Sequence, residues 1–290
     1  MVFLEYNVDA SPTSRISRFY AAVPGGTVSL PLVMVDSGND VTAGVPPDYY
    51  TYYQSKVNTS LARPAKAEVN AFWERIGNQV QFTVYVKNLS GVTLSSSNVA
   101  TVHAIVYEEA RLQLTNRFVI NAISTPINPG LADGDSRIVT LQTGNLSGVD
   151  WDKLRFLAIV DYRPNGTSGK YDMLQAALAT LPPEVDPEQL TFLVDDSNPL
   201  ATAQYAQVQG PAGMTWNASK DPGATWLNVT ANGSPSTPVQ FSLNIANLVS
   251  GWNETIVTFS SPDGLLSDQV TVKAYLGSIS TLFLPLMAKQ

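Results

Sequence analysis

The chain of 290 residues has no cysteine and a single histidine, and these two shortages exclude more chemistry than any other feature. Without thiols there is no disulfide, no thiol nucleophile and no thiolate redox centre, and a Cys/His zinc site cannot be assembled within one chain. A Ser-His-Asp arrangement would have to use His103. That residue lies in the strand-like run Val99 to Glu108, where it reads as an imidazole on the less buried face of a strand. Charge is scarce too: charged residues make up 14% against 44% hydrophobic, so polar surface must come largely from Ser, Thr, Asn and Gln. That is the balance of many secreted β proteins, and it is too apolar for disorder. The formal charge of −7 argues against nucleic acid or an anionic membrane as partner, since both call for a basic surface. No apolar run is long enough to span a bilayer, so membrane insertion is not expected. No basic, apolar and small-residue leader opens the chain, and Met1-Val2-Phe3-Leu4 enters directly into a strand. The expectation is a secreted or cell-surface protein whose signal peptide has been removed.

What is present is alternation. In Val239-Gln240-Phe241-Ser242-Leu243-Asn244-Ile245 every odd position is apolar and every even one polar, the period of a strand with one face on a core. Thr255 to Phe259 and Gln269 to Ala274 continue in the same style, separated by the turn formers Ser261-Pro262-Asp263-Gly264, and the three read as a meander. Upstream, Val80, Phe82, Val84 and Val86 alternate with polar neighbours and meet the run Ala65 to Ile76 across Gly77-Asn78, a two-residue hairpin signal. Further strands are expected at Val99 to Glu108, Arg117 to Ser124, Arg137 to Thr143, Leu154 to Tyr162 and Tyr171 to Leu178. Leu154 to Val160 is apolar on nearly both faces, which suits a central strand covered by two layers. The fold class is therefore mainly β, with two immunoglobulin-like β-sandwiches. A Pro-rich stretch, 182–189, reads as a stiff linker between them.

The N-terminal 62 residues differ. Val2 to Tyr6 reads as a strand, and Ser11-Pro12 as a helix start before Ile16, Phe19, Tyr20 and Val23 at helical spacing. Val28 to Val35 reads as a second strand. Asp48 caps a second helix on which Tyr49, Tyr53, Val57 and Leu61 share a face. A βαβα unit this short must lean on its neighbour to bury its sheet.

Two resemblances follow from these patterns. The segment 190–277, with Trp226-Leu227-Asn228-Val229, the strand after Pro238, and Gly251-Trp252 leading into Thr255 to Phe259, resembles a BACON domain, a small immunoglobulin-like module of bacterial surface proteins. That resemblance implies glycan or mucin as a partner. With domains placed at 1–62 and 63–181, the stretch from about Val2 to Ala179 resembles the Omp28-like bacterial surface proteins, through the strand Val2 to Tyr6, Leu30-Pro31, and Trp151 through Asp161 to Leu174-Gln175-Ala176. This second resemblance implies a thioredoxin-like segment followed by a sandwich, and a cis bond at Pro31. Where thioredoxin relatives carry Cys-x-x-Cys this chain has Asn7-Val8-Asp9-Ala10-Ser11-Pro12, so the segment is a scaffold remnant without redox activity.

Several sharper sites compete with duller readings. Asn58, Asn88, Asn145, Asn165, Asn217, Asn228, Asn232 and Asn253 all begin N-x-S/T sequons, a density that a chain rich in these residues generates freely. Asp36-Ser37-Gly38-Asn39-Asp40 and Asp133-Gly134-Asp135 gather oxygen ligands but lack EF-hand spacing and a closing Glu, so they read as solvated turns before calcium loops. Glu108-Glu109, Asp150/Asp152 and Asp195-Asp196 are the acid pairs a glycosidase would use, but Glu108 and Glu109, adjacent along a strand, point to opposite faces, and acid pairs in loops read as solvated. Of Tyr49, Tyr50, Tyr52 and Tyr53, the first and last are expected to pack inward, and Trp216 and Trp226 to be core. The apolar tail 278–290 is either packed along a groove or a sorting signal. No catalytic, metal or cofactor residue is assigned. The expectation is a non-enzymatic protein serving adhesion, spacing or weak glycan binding, with glycans or other surface proteins as partners. A carboxylate-dependent glycoside hydrolase, or an accessory fragment of a larger surface complex, is the alternative. A cleft with two convergent acids would favour the enzyme, and a flat aromatic strip on a sheet would favour the glycan module.

Overall fold

The computed structural model describes residues 3–6, 15–23, 32–44, 47–111, 115–200, 203–210, 215–235, 237–261 and 267–279. The protein is mainly β, and the chain divides into two compact units, 1–181 and 182–290.

In the first unit the described elements are α1 (Ile16–Ala22), β1 (Leu32–Val35), β2 (Asp40–Ala43), α2 (Tyr49–Leu61), β3 (Ala67–Ile76), β4 (Gln79–Asn88), β5 (Thr101–Arg111), β6 (Thr115–Pro126), β7 (Ser136–Gln142), β8 (Leu154–Tyr162) and β9 (Asp172–Leu178). The sheets β3-β4-β7 and β6-β5-β8-β9 face each other across one core. Val80, Phe82, Val84 and Val86 of β4 meet Val102, Ala104 and Val106 of β5 and Phe156, Ala158 and Val160 of β8 there. The period of two that makes these strands legible is also what sends them inward. The β3-β4 hairpin turns at Gly77-Asn78, Ile76 pairing with Gln79, and Gly77 supplies the positive φ such a turn requires.

Sheet β6-β5-β8-β9 is buried on its other face as well. Ile105, Tyr107, Val119, Ala122, Leu157 and Ile159 form a second cluster there, covered by Leu4 and Tyr6. This explains why β8 is apolar on both faces: only Arg155 among its residues is exposed. It also corrects the reading of His103, which points toward this second layer and is fully buried instead of lying on a wetter face.

The N-terminal segment does lean on the sandwich, but not as a βαβα unit. Parallel strands would be needed for that, whereas β1 pairs antiparallel with β2, Val35 opposite Asp40. The chain reverses because Asp36, Ser37 and Gly38 all adopt positive φ, at 49°, 59° and 103°. A Cβ at Gly38 would also meet Met34 Cε at 3.1 Å and Ala22 Cβ at 3.3 Å, so the tight turn favours glycine twice over. Glu5, in turn, bridges Phe118 of β6 in parallel, donating its amide to Arg117 O and accepting from Val119 N. Asp48 caps α2 as its spacing suggests, accepting from Thr51 N. Ser11-Pro12, the Leu30–Pro31 bond and residues 280–290 lie outside the described residues. The described cis bonds are Asn128–Pro129 and Asp186–Pro187.

The second unit comprises β10 (Glu184–Asp186), β11 (Gln189–Asp195), β12 (Gln204–Gln209), β13 (Trp216–Lys220), β14 (Leu227–Val229), β15 (Asn232–Gly233), β16 (Pro238–Leu243), β17 (Gly251–Ser260) and β18 (Ser267–Gly277). They form the sheets β10-β12-β16-β14 and β11-β18-β17-β13-β15 around a core holding Trp216, Trp226, Phe241 and Phe259. Two expectations change in this unit. The meander is split: β17 and β18 pair, but β16 belongs to the opposite sheet, its apolar face meeting theirs across the core. The stretch 182–189 is only partly a linker, since Val185 is fully buried and β10 pairs with β12. Its apolar residue between two acids has the alternation of a short edge strand.

Candidate functional site

Two constellations gather chemistry, one closed and one open. The closed one lies in the first unit. Arg15, just before α1, and Arg18, three residues on, share one side of the helix start and converge on Asp161 of β8. Arg18 Nη2 donates to Asp161 Oδ1 at 2.5 Å and Nε to Oδ2 at 3.1 Å, while Arg15 Nη1 reaches Oδ2 at 3.3 Å. His103 Nε2 sits 3.1 Å from Oδ1, and since an ionised carboxylate only accepts, Nε2 carries the proton. Burial would raise the Asp161 carboxyl, but His103 and the two guanidinium groups outweigh it and hold the group well below the usual carboxylate range. Burial pushes His103 down to about 4 despite its carboxylate partner, so the imidazole is neutral at pH 7. Arg15 also bonds Ser37 Oγ at 3.0 Å, tying the positive-φ turn to the cluster. The Arg18 guanidinium lies 4.0 Å over the Tyr171 ring.

A neighbouring set repeats the arrangement. Asp172 of β9 accepts from Arg63, from Lys66 Nζ at 3.0 Å and from Asn39 Nδ2 at 3.2 Å. Arg63 also reaches Asp36 Oδ2 at 2.8 Å, as does Ser60 Oγ at 2.6 Å. Together these bonds fasten the N-terminal segment to β8 and β9. His103 and Asp161 have no exposed side-chain surface, and this buried pair joins the layers.

The open constellation lies on the outer face of the five-stranded sheet. Trp252 of β17 and Tyr275 of β18 are paired in register with ring centroids 5.3 Å apart and planes at 57°. Leu193 of β11 is the register partner of Tyr275 on its other side. Trp252 is 59% exposed and Leu193 60%, because both occupy the polar phase of strands whose alternate residues fill the core. Tyr275 lies back along its strand over Gly277, where an added Cβ would meet its Oη at 2.8 Å and its Cζ at 3.0 Å. The next row along the sheet pairs Lys273 with Glu254, Nζ to Oε2 3.3 Å.

The candidate acids and rings of the sequence are not brought together. Glu109 is held by Arg117 at 2.8 Å and Arg155 at 3.6 Å. Asp150 accepts from Asp152 N and pairs with Lys153, and Asp195 accepts from the amide and hydroxyl of Ser197. Asp133 accepts from Gly91 N, and Asp40 is bound by Lys56 at 2.6 Å. Among the described residues, no group of three or more His, Asp or Glu is placed to hold a metal ion. Trp216 and Trp226 are core, as expected. Tyr49 is not packed inward: it is 62% exposed, and none of the side chains of α2 is fully buried. The helix touches its neighbours through Tyr53, Lys56 and Ser60 instead, because its polar groups find partners in Gly44 after β2, Asp40 at the start of β2 and Asp36 in the β1-β2 turn. A shallow depression of about 490 Å³ along its outer side is lined by Thr51, Gln54, Ser55, Asn58, Thr59 and Ala62, with neither ring nor charge. Of the sequon asparagines, Asn88 and Asn253 are buried and hydrogen-bonded to backbone carbonyls.

Both constellations leave a trace in the sequence. Asp161 ends the apolar run of β8, and a carboxylate in a strand covered on both faces requires a buried partner. Trp252 and Tyr275 stand where their strands call for polar residues, which marks them as exposed.

No family model matches the chain, and no curated protein does. Among solved structures it is similar to red sea bream transglutaminase, at 15% identity over 84% of this chain and 37% of that one, with a TM-score of 0.24. It is also similar to the sporulation control protein Spo0M from Bacillus subtilis, at 11% identity over 72% of this chain and 91% of that one, with a TM-score of 0.26. An inactive mutant of the exo-β-N-acetylglucosaminidase from Vibrio harveyi matches 45% of this chain and 26% of its own at 12% identity, with a TM-score of 0.22. The chain thus spans little more than a third of the transglutaminase, and likenesses this slight carry no argument about what it does.

Proposed function

We propose that the protein is a non-enzymatic, secreted or cell-surface module that holds glycans weakly on the outer face of its second unit. One observation carries this reading: Trp252 and Tyr275 pack against each other as a tilted pair on an open sheet, with most of the Trp252 surface given to water. An aromatic ring in that position adds nothing to the core, while its face is suited to the C–H groups of a pyranose ring. The remaining chemistry supports the non-enzymatic half. Asp161 and Asp172 are held in ion pairs that fasten the N-terminal segment, and one member of each acid pair legible in the sequence, Glu109, Asp150 and Asp195, is engaged by its own local partner. The first unit then acts as a rigid spacer.

A glycan array probed with the wild-type protein and with Trp252→Ala tests the binding half, and a panel of glycosidase substrates tests the other. Binding that disappears in the variant, without turnover of any sugar, is the expected result. Turnover abolished by replacing a single Asp or Glu would overturn it.

A further inference from the structure

Resting on that reading, we infer that the strip on β11, β18 and β17 selects neutral glycans over acidic ones, and that it engages more than one sugar unit laid across the strands. The span comes from the register. Leu193, Tyr275 and Trp252 occupy one row on three adjacent strands. Strands lie about 4.8 Å apart, so the row extends about 10 Å from β11 to β17, more than one ring can cover. Gly277 positions the middle of it, because the missing side chain is what lets Tyr275 lie down on the sheet.

The charge selection comes from what surrounds the row. Residues 182–290 contain three lysines, no arginine and nine Asp or Glu, a net charge of −6 out of the −7 of the whole chain. With no arginine in the unit, the planar two-donor fork that suits carboxylate and sulfate groups is missing. The cation next to the rings, Lys273, is paired with Glu254, and Lys220 donates to Ala224 O. Asp195 stands two residues beyond Leu193 on the same face, adding a negative charge near the end of the row. An anionic sugar would approach a negative field and, among the described residues, find no open cation beside the rings. A neutral sugar meets the rings and, one row along, a Lys–Glu pair able to donate to and accept from hydroxyl groups. The same field disfavours a second copy of this unit as the occupant.

The test uses the full chain on matched glycans, each in its neutral form and with a sialic acid or sulfate added, at low and high salt. The neutral members should bind, and Trp252→Ala and Tyr275→Ala should each weaken them by at least about tenfold. The acidic members should bind at least about tenfold more weakly at low salt, the gap narrowing as salt screens the field. Acidic members bound as well as neutral ones, through Trp252, would overturn the selectivity while leaving glycan binding in place. Binding that survives both substitutions, or no binding at all, would overturn the glycan reading and this inference with it.

Discussion

Trp252 and Tyr275 face each other across β17 and β18 with ring centroids 5.3 Å apart, and the side of the pair turned away from the core is open to water. Their strands place Val257, Phe259, Val272 and Ala274 in the core and these two rings outside it. Trp252→Ala should therefore cost less than about 1.5 kcal/mol in a urea titration, the scale of a lost aromatic pair without burial. A loss of about 3 kcal/mol or more would make the ring a structural element instead.

Inside the same unit the opposite holds for Trp216. It is 1% exposed, and a Cβ on Gly233 would come within 2.5 Å of its Cζ2. The ring is walled in by Phe259 at 5.4 Å, so it cannot easily step aside. Gly233→Ala should destabilise the second unit by about 1 to 3 kcal/mol in urea, with a change in Trp fluorescence of the folded protein. An unchanged midpoint would mean that the indole relaxes without cost.

Asp161 lies under Arg15 and Arg18 with no solvent-exposed side chain. Asp161→Asn keeps the shape and removes the charge, leaving guanidinium groups buried without it. A loss of about 3 to 5 kcal/mol is expected for breaking such a pair from one side. Equilibrium unfolding of the variant measures it, and a loss under about 1 kcal/mol would contradict the role assigned to the cluster.

His103 gives the fold a pH dependence whose sign is fixed by its environment. Its pKa falls from 6.5 to about 4 on folding, so between those values the unfolded chain binds more protons than the folded one. The contribution is fully present above pH 6.5 and is lost as pH falls toward about 4. Its size is on the order of 3 kcal/mol at most. Urea titrations from pH 7 to pH 4 should show stability declining, with a shallower decline in His103→Gln. Equal slopes in the two proteins would show that the imidazole does not titrate as described.

Legibility follows from how local the cause is. Strands β3, β4, β8 and β16 can be read because alternation, or its loss in β8, is a local record of burial. The hairpin at Gly77-Asn78 and the Asp48 cap are equally local. His103 misleads because its phase on β5 agrees with an outer face, and only the covering layer of Leu4 and Tyr6 makes that face an interior. The β1-β2 hairpin is hidden because its turn uses non-glycine residues at positive φ, which Arg15, Arg63 and Ser60 hold in place from a distance. The exposed pair on β17 and β18 needs the register that sets Trp252 beside Tyr275, although each ring alone already breaks its strand's polar phase.

The most direct measurement is the indole N–H spectrum of the full chain during titration with a neutral glycan that it binds on the array. Trp73, Trp151, Trp216, Trp226 and Trp252 give five indole groups, of which Trp216 and Trp226 are buried and Trp252 is the most open. Assignment follows from Trp252→Phe. The Trp252 resonance should move with added glycan while the other four stay in place. A Trp252 resonance that stays fixed, or movement at Trp151 in its stead, would contradict the account.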